Sequence, residues 1–190
     1  MIGYSPDGDS LKFEANKTTN WKKIVSVHHE LFESKIEEGK GVIQLRLQGI
    51  DALETHYSPS YLSPPKSVGK KKPKSNAESP KKKMVQQPEK YGKLATSKLM
   101  EILGLQNVAW SRHSIKSIDI KKGKGFKTYS TKNAEPIEGY IMVNDVERKG
   151  RPISFAFAGK TRLRAGSKIT KDKLKAVLKK SINYQLLADG

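Results

Sequence analysis

Arg46, Asp51 and Glu54 fall within the nine residues from 46 to 54, in the run Arg46-Leu47-Gln48-Gly49-Ile50-Asp51-Ala52-Leu53-Glu54. A guanidinium is a permanent cation whose planar fork matches a phosphate, and carboxylates suit a hard divalent cation. These types together can bind a metal and a phosphate at one place. Two more chemistry-bearing sets lie far off along the chain, Asp7-Gly8-Asp9-Ser10 and Lys149-Gly150-Arg151. Taken singly, each has a plainer reading. Asp-Gly-Asp suits a β-turn more often than a metal site, and Arg151 alone is an ordinary hairpin charge. An EF-hand loop is excluded, because its spaced oxygen ligands and terminal Glu are missing. His28 and His29 are adjacent, with no third ligand at a metal-binding spacing, and read as surface or strand residues.

The elements that must carry these residues follow from periodicity. Ile43, Leu45 and Leu47 alternate with Gln44 and Arg46, which predicts a half-buried strand over Val42–Leu47, with Gly49 bending the chain beyond it. Leu11 to Glu14 reads as the start of another strand. Residues 16 to 40 fit either two strands or a helix. Pro88 opens a helix whose inward face carries Tyr91, Leu94, Ala95, Leu99, Ile102 and Leu103, with Gly104 as its stop. Val108 to Trp110 reads as a strand. Gly139–Val143 and Pro152–Phe157 pair as a hairpin with Lys149-Gly150-Arg151 at its turn end. Residues 170 to 189 read as helical, with Thr170 as cap and Leu174, Val177, Leu178 and Ile182 inward.

Composition sets the remaining bounds. The chain has 190 residues, only 35% of them hydrophobic, with a formal charge of +18. That length holds one domain with insertions, and that charge attracts polyanions. No apolar run is long enough to span a bilayer, and no export signal is recognisable at Met1. With no cysteine, disulfides, thiolate zinc sites and cysteine nucleophiles are excluded. Residues 57–87 are rich in Lys, Pro and Ser and read as a long basic surface loop, able to gather nucleic acid electrostatically. Residues 111–136 read as a second insertion, in which Ile115, Ile118 and Ile120 form a short edge strand.

Asp-Gly-Asp, then Arg-x4-Asp-x2-Glu, then a helix beginning Glu89-Lys90-Tyr91-Gly92, then Gly150-Arg151 lie in one order along the chain. In that order the sequence resembles the staphylococcal nuclease-like (thermonuclease) family from Asp7 to Gly190, outside the two insertions. The resemblance implies a mainly β fold with helices: a single OB-fold domain over 1–190, its five-stranded barrel flanked by two to three α-helices, with the long Lys/Pro-rich loop inserted. It implies a calcium-dependent phosphodiesterase acting on DNA and RNA, on single-stranded or unpaired regions, with low sequence specificity and products ending in 3′-phosphates. Asp9 and Asp51 would be carboxylate ligands of the calcium ion and the Ala52 carbonyl a backbone ligand. Glu54 would hold and activate the attacking water, and Arg46 and Arg151 would grip the phosphodiester. Arg148 and Lys149 stand where the family often has a lysine and an aromatic, which makes them substrate contacts by charge. Leu53 replaces the usual proline of the turn. Such proteins are often exported. Neither a membrane nor an obligate protein partner is implied. Two other functional classes remain: a non-catalytic OB-fold module that binds nucleic acid, and a binder of anionic membrane or polyphosphate, which leaves the acids unexplained.

Overall fold

The computed structural model describes residues 7–24, 29–53, 55, 88–112, 114–130 and 135–189. The expectations placed on Glu54, on His28 and on the basic loop 57–87 lie outside them. Twelve elements follow in order, counting one 3₁₀ turn at Thr18–Lys23: β1 (Ser10–Glu14), α1 (His29–Glu38), β2 (Val42–Leu47), α2 (Glu89–Ile102), β3 (Leu105–Ser111), β4 (Ser114–Lys122), β5 (Gly125–Ser130), β6 (Gly139–Val146), β7 (Pro152–Ala158), α3 (Lys171–Leu178) and α4 (Ile182–Asp189). Among the described residues the fold is mixed, with seven strands in two sheets. None of the described helices is long and apolar enough to cross a membrane.

One sheet has the order β1-β2-β7-β6, the other β3-β4-β5. β1 runs antiparallel to β2, β6 antiparallel to β7, and β2 lies parallel to β7. Among the described residues the strands therefore form two sheets, with no single closed barrel. The segment read as an insertion with one edge strand supplies both β4 and β5. β4 takes up the ladder of β3, from Leu105 opposite Ile120 to Ser111 opposite Ser114.

The open question of residues 16–40 is decided by packing. Trp21, on the 3₁₀ turn, donates its indole N–H to the Gly41 carbonyl at 3.0 Å. Its ring meets Phe13 and Phe32 edge to face, with centroids 5.8 and 5.9 Å away. Phe32 and Ile36, one helical turn apart on α1, are buried with Trp21, Ile43 and Leu45. In α2 the buried face is Gly92, Thr96, Leu99 and Met100, one step round from the expected face. Tyr91 and Leu94 are exposed, at 46% and 67%. The C-terminal stretch is two helices rather than one. Thr170 makes no side-chain cap bond, and none of α3 is fully buried.

α4 carries a polar fastening. Asn183 is buried, donates to the carbonyls of Gln48 and Ser154, and accepts from the Ala156 N–H. These bonds tie the end of β2 to β7 at the point where the chain turns toward Asp51. Between the two sheets lies an apolar cavity of about 100 Å³.

Candidate nucleic-acid cleavage site

Asp9 precedes β1, Arg46 lies near the end of β2 and Arg151 precedes β7, with Asp51 and Ala52 in the segment beyond β2. In the β1–β2 ladder Ser10 faces Arg46, and the Leu47 N–H donates to the Asp9 carbonyl at 2.8 Å. The entry to β1 and the exit of β2 are therefore side by side, with Asp9 beside Arg46. The parallel pairing sets Arg46 opposite Ile153, so Arg151 enters β7 two residues before that partner. Residues that are remote in sequence thus converge through strand order.

Local packing fixes the backbone on both sides. Gly8 is wedged between Ala52 and α2: a Cβ placed there would stand 2.8 Å from the Ala95 Cβ and 3.0 Å from that of Ala52. Gly150 has φ +77°, and a Cβ there would stand 2.8 Å from the Leu31 carbonyl oxygen of α1. A residue with a side chain fits neither place without a shift of its neighbours. Asp7 accepts two hydrogen bonds from Thr55, through the backbone N–H at 2.9 Å and the hydroxyl at 3.1 Å. That pair joins the first turn to the turn carrying Asp51 and Ala52.

Arg46 stands between two acids. It donates to Asp51 at 3.1 Å and lies 3.8 Å from Asp9. The Asp9 side chain is only 14% exposed, whereas that of Asp51 is 90% exposed. Burial raises the Asp9 carboxyl above the ordinary value of 3.8, and Asp7 and Asp51 add to the rise. Arg46 and Arg151 oppose it without cancelling it. Arg151 donates its Nε to Glu147, on the other side of the turn. That leaves its two outer nitrogens as further donors.

These groups line one cleft of about 700 Å³: Asp7, Asp9, Arg46, Asp51, Ala52 and Arg151, with Lys149 at its edge. Lys12 adds positive charge to the same walls, whereas Lys35 is paired there with Glu38 at 2.6 Å. Arg148 is exposed and is not among the residues lining the cleft, whereas Lys149 is. Leu53 is exposed on the turn. The sequence reading passed over Asp7, Glu147 and Lys12 as functional residues. For Asp7 a signal was present, since it shares the Asp-Gly-Asp motif. The other two are ordinary charges until the fold places them.

The oxygen donors, Asp9, Asp51 and the Ala52 carbonyl, are of the type a hard cation such as calcium accepts. A carboxyl raised by burial, and further by two neighbouring acids, would gain from another positive charge beside it. Among the described residues no group of three or more His, Cys, Asp or Glu side chains stands ready to hold a metal ion. A scan against protein-family models finds no match, and searches of curated proteins and of solved structures find none either.

Proposed function

We propose that this chain is a calcium-dependent phosphodiesterase that hydrolyses DNA and RNA with little sequence preference. The observation that carries the reading is the convergence of Asp9, Arg46, Asp51 and Arg151 on one cleft. A structural surface has no need to bring two arginines and a half-buried acid together from three strands.

In this reading Asp9, Asp51 and the Ala52 carbonyl hold the calcium ion, which when bound supplies Lewis-acid stabilisation of the reacting phosphate. Arg46 and Arg151 take the phosphate oxygens from two sides, and their fixed forks oppose the charge that grows in the pentacoordinate transition state. Asp51 and Glu147 orient those forks. Glu54, which precedes Thr55 in the sequence, positions the attacking water and takes its proton. Lys149 and Lys12 draw in the phosphate backbone, and single-stranded or unpaired regions enter most readily.

The fold proposed with it is an OB-type barrel with a β4–β5 hairpin added to it. The apolar cavity supports this, because strands of both sheets wall it together: Leu11 of β1, Leu45 of β2, Leu105 of β3, Ile118 of β4, Ile141 of β6 and Ala156 of β7.

The test is cleavage of single-stranded DNA and of RNA in calcium against chelator, for the wild type and for Arg46→Ala, Arg151→Ala and Glu54→Ala. Each variant is expected to lose roughly a hundredfold to a thousandfold in turnover. A wild type that leaves both substrates intact in calcium defeats the proposal. The second reading, a non-catalytic OB-fold nucleic-acid-binding module, draws on the exposed Asp51 being paired with Arg46. Tight, calcium-independent binding of single strands without cleavage favours it.

A further inference from the structure

The β4–β5 hairpin has one face in the core and the other open. Ile118 and Tyr129, which face each other across the ladder, are buried with Met100, Leu105 and Ile115. Residues two apart on a strand share a face, so the opposite side carries the pairs Lys121–Phe126, Asp119–Thr128 and Ser117–Ser130. Phe126 is 53% exposed there, although a free aromatic ring of that size is usually covered. Lys121 stands directly opposite it in the ladder, and Lys124 occupies the turn, between Gly123 and Gly125. Among the described residues neither lysine makes an ion pair. Lys127 lies 5.2 Å over the Tyr129 ring, and Lys122 is held by Glu135 at 2.8 Å. Asp119 keeps its negative charge on this face, with its two oxygens engaged by Thr128 at 2.6 Å and Asn107 at 2.8 Å, and so offsets one of the two lysines. Those bonds also lock β3, β4 and β5 into one rigid platform.

We infer that the tip of this hairpin, Lys121, Lys124 and Phe126, is a second contact for single-stranded nucleic acid, separate from the cleavage cleft. Phe126 stacks on an unpaired base and the two lysines neutralise the flanking phosphates. This rests on the reading of the chain as a nucleic-acid enzyme, but it needs neither calcium nor the acids of the cleft. An exposed aromatic ring between cations on a firm sheet is the arrangement by which single strands are held without sequence preference. A duplex keeps its bases stacked and offers Phe126 nothing to stack on.

The test is the affinity of the whole chain for a fluorescent single-stranded oligonucleotide in chelator, where no cleavage competes. Phe126→Ala is expected to weaken binding roughly tenfold, and Phe126→Trp to retain it. Lys121→Ser/Lys124→Ser is expected to weaken binding and to flatten its salt dependence by about two counterions. Unchanged binding by Phe126→Ala, with Arg46→Ala still lacking cleavage, overturns the hairpin contact and leaves the nuclease reading standing. Phe126-dependent binding in a protein that cleaves nothing in calcium does the reverse. If Phe126→Ala loses affinity for vesicles of anionic phospholipid while oligonucleotide binding is unchanged, the hairpin serves a membrane surface and the inference is wrong. All three hairpin positions are exposed, so thermal unfolding should match the wild type.

Discussion

Asp7 and Thr55 form the joint of the site: the single oxygen Oδ1 of Asp7 accepts both the backbone N–H and the hydroxyl of Thr55. Thr55 is 1% exposed, so water does not replace a lost partner there. Asp7→Ala should destabilise the protein by about 2–3 kcal/mol and lower cleavage by releasing the turn that carries Asp51. Asp7→Asn keeps an accepting oxygen and should cost less. Urea unfolding and initial cleavage rates check this, and equal stabilities for the two variants would contradict it.

Gly8 is held in place by the space it lacks. Gly8→Ala puts a methyl group 2.8 Å from the Ala95 Cβ and 3.0 Å from the α2 backbone carbon of Ala95. The expected cost is about 1–3 kcal/mol, with Asp9 displaced from Arg46. A lowered melting temperature together with slower cleavage is the anticipated result. An unchanged melting temperature would show that the wedge is loose.

Glu147 is expected to act through Arg151. Glu147→Ala leaves the guanidinium charged but unaimed, so turnover should fall between about tenfold and a hundredfold. Arg151→Ala removes the fork itself and should cost more. Glu147→Gln retains an acceptor for the Nε and should recover much of the rate. Turnover at saturating substrate separates the three. Equal loss in Glu147→Gln and Glu147→Ala would mean that the charge, not the aim, matters.

Asn183 is the buried fastening between α4, β2 and β7. Asn183→Ala strands the Ala156 N–H and the Gln48 carbonyl, while the Ser154 carbonyl keeps the Gln48 N–H, at a cost of about 3 kcal/mol. Asn183→Asp turns the donor toward Gln48 and Ser154 into an acceptor and should be worse at neutral pH. Denaturant midpoints measure both. A milder loss for Asp than for Ala would refute the bonding scheme.

Asp119 gives the second sheet an acid-dependent share of its stability. The Thr128 hydroxyl, and after it the Asn107 amide, hold its carboxyl below the ordinary value of 3.8. The unfolded chain therefore binds the proton more readily. The contribution is present above about pH 3.8 and is lost as pH falls through the lower, folded value. Melting temperatures of wild type and Asp119→Ala should differ at neutral pH and converge in acid. A difference that does not vary with pH would rule this out.

The sequence by itself determined what is local. Alternation wrote β2 over Val42–Leu47 to the residue, and Pro88 and Gly104 bracketed α2, because side-chain period and backbone dihedrals are properties of neighbouring residues. It also placed Asp9, Arg46, Asp51 and Arg151 on candidate strand ends and turns. It did not place them together. The parallel pairing of β2 with β7, the helix at His29–Glu38 and the exposure of Tyr91 and Leu94 depend on which surfaces meet, and that is decided by long-range packing. The same holds for β4 and β5, where a stretch rich in lysine and glycine becomes a sheet because Ile118 and Tyr129 find Met100 and Leu105 to cover them. The cleft is the clearest case. Its charges are legible one by one in the chain, but only strand order brings Arg46 within 3.8 Å of Asp9 and sets Arg151 at the entry to the adjoining strand.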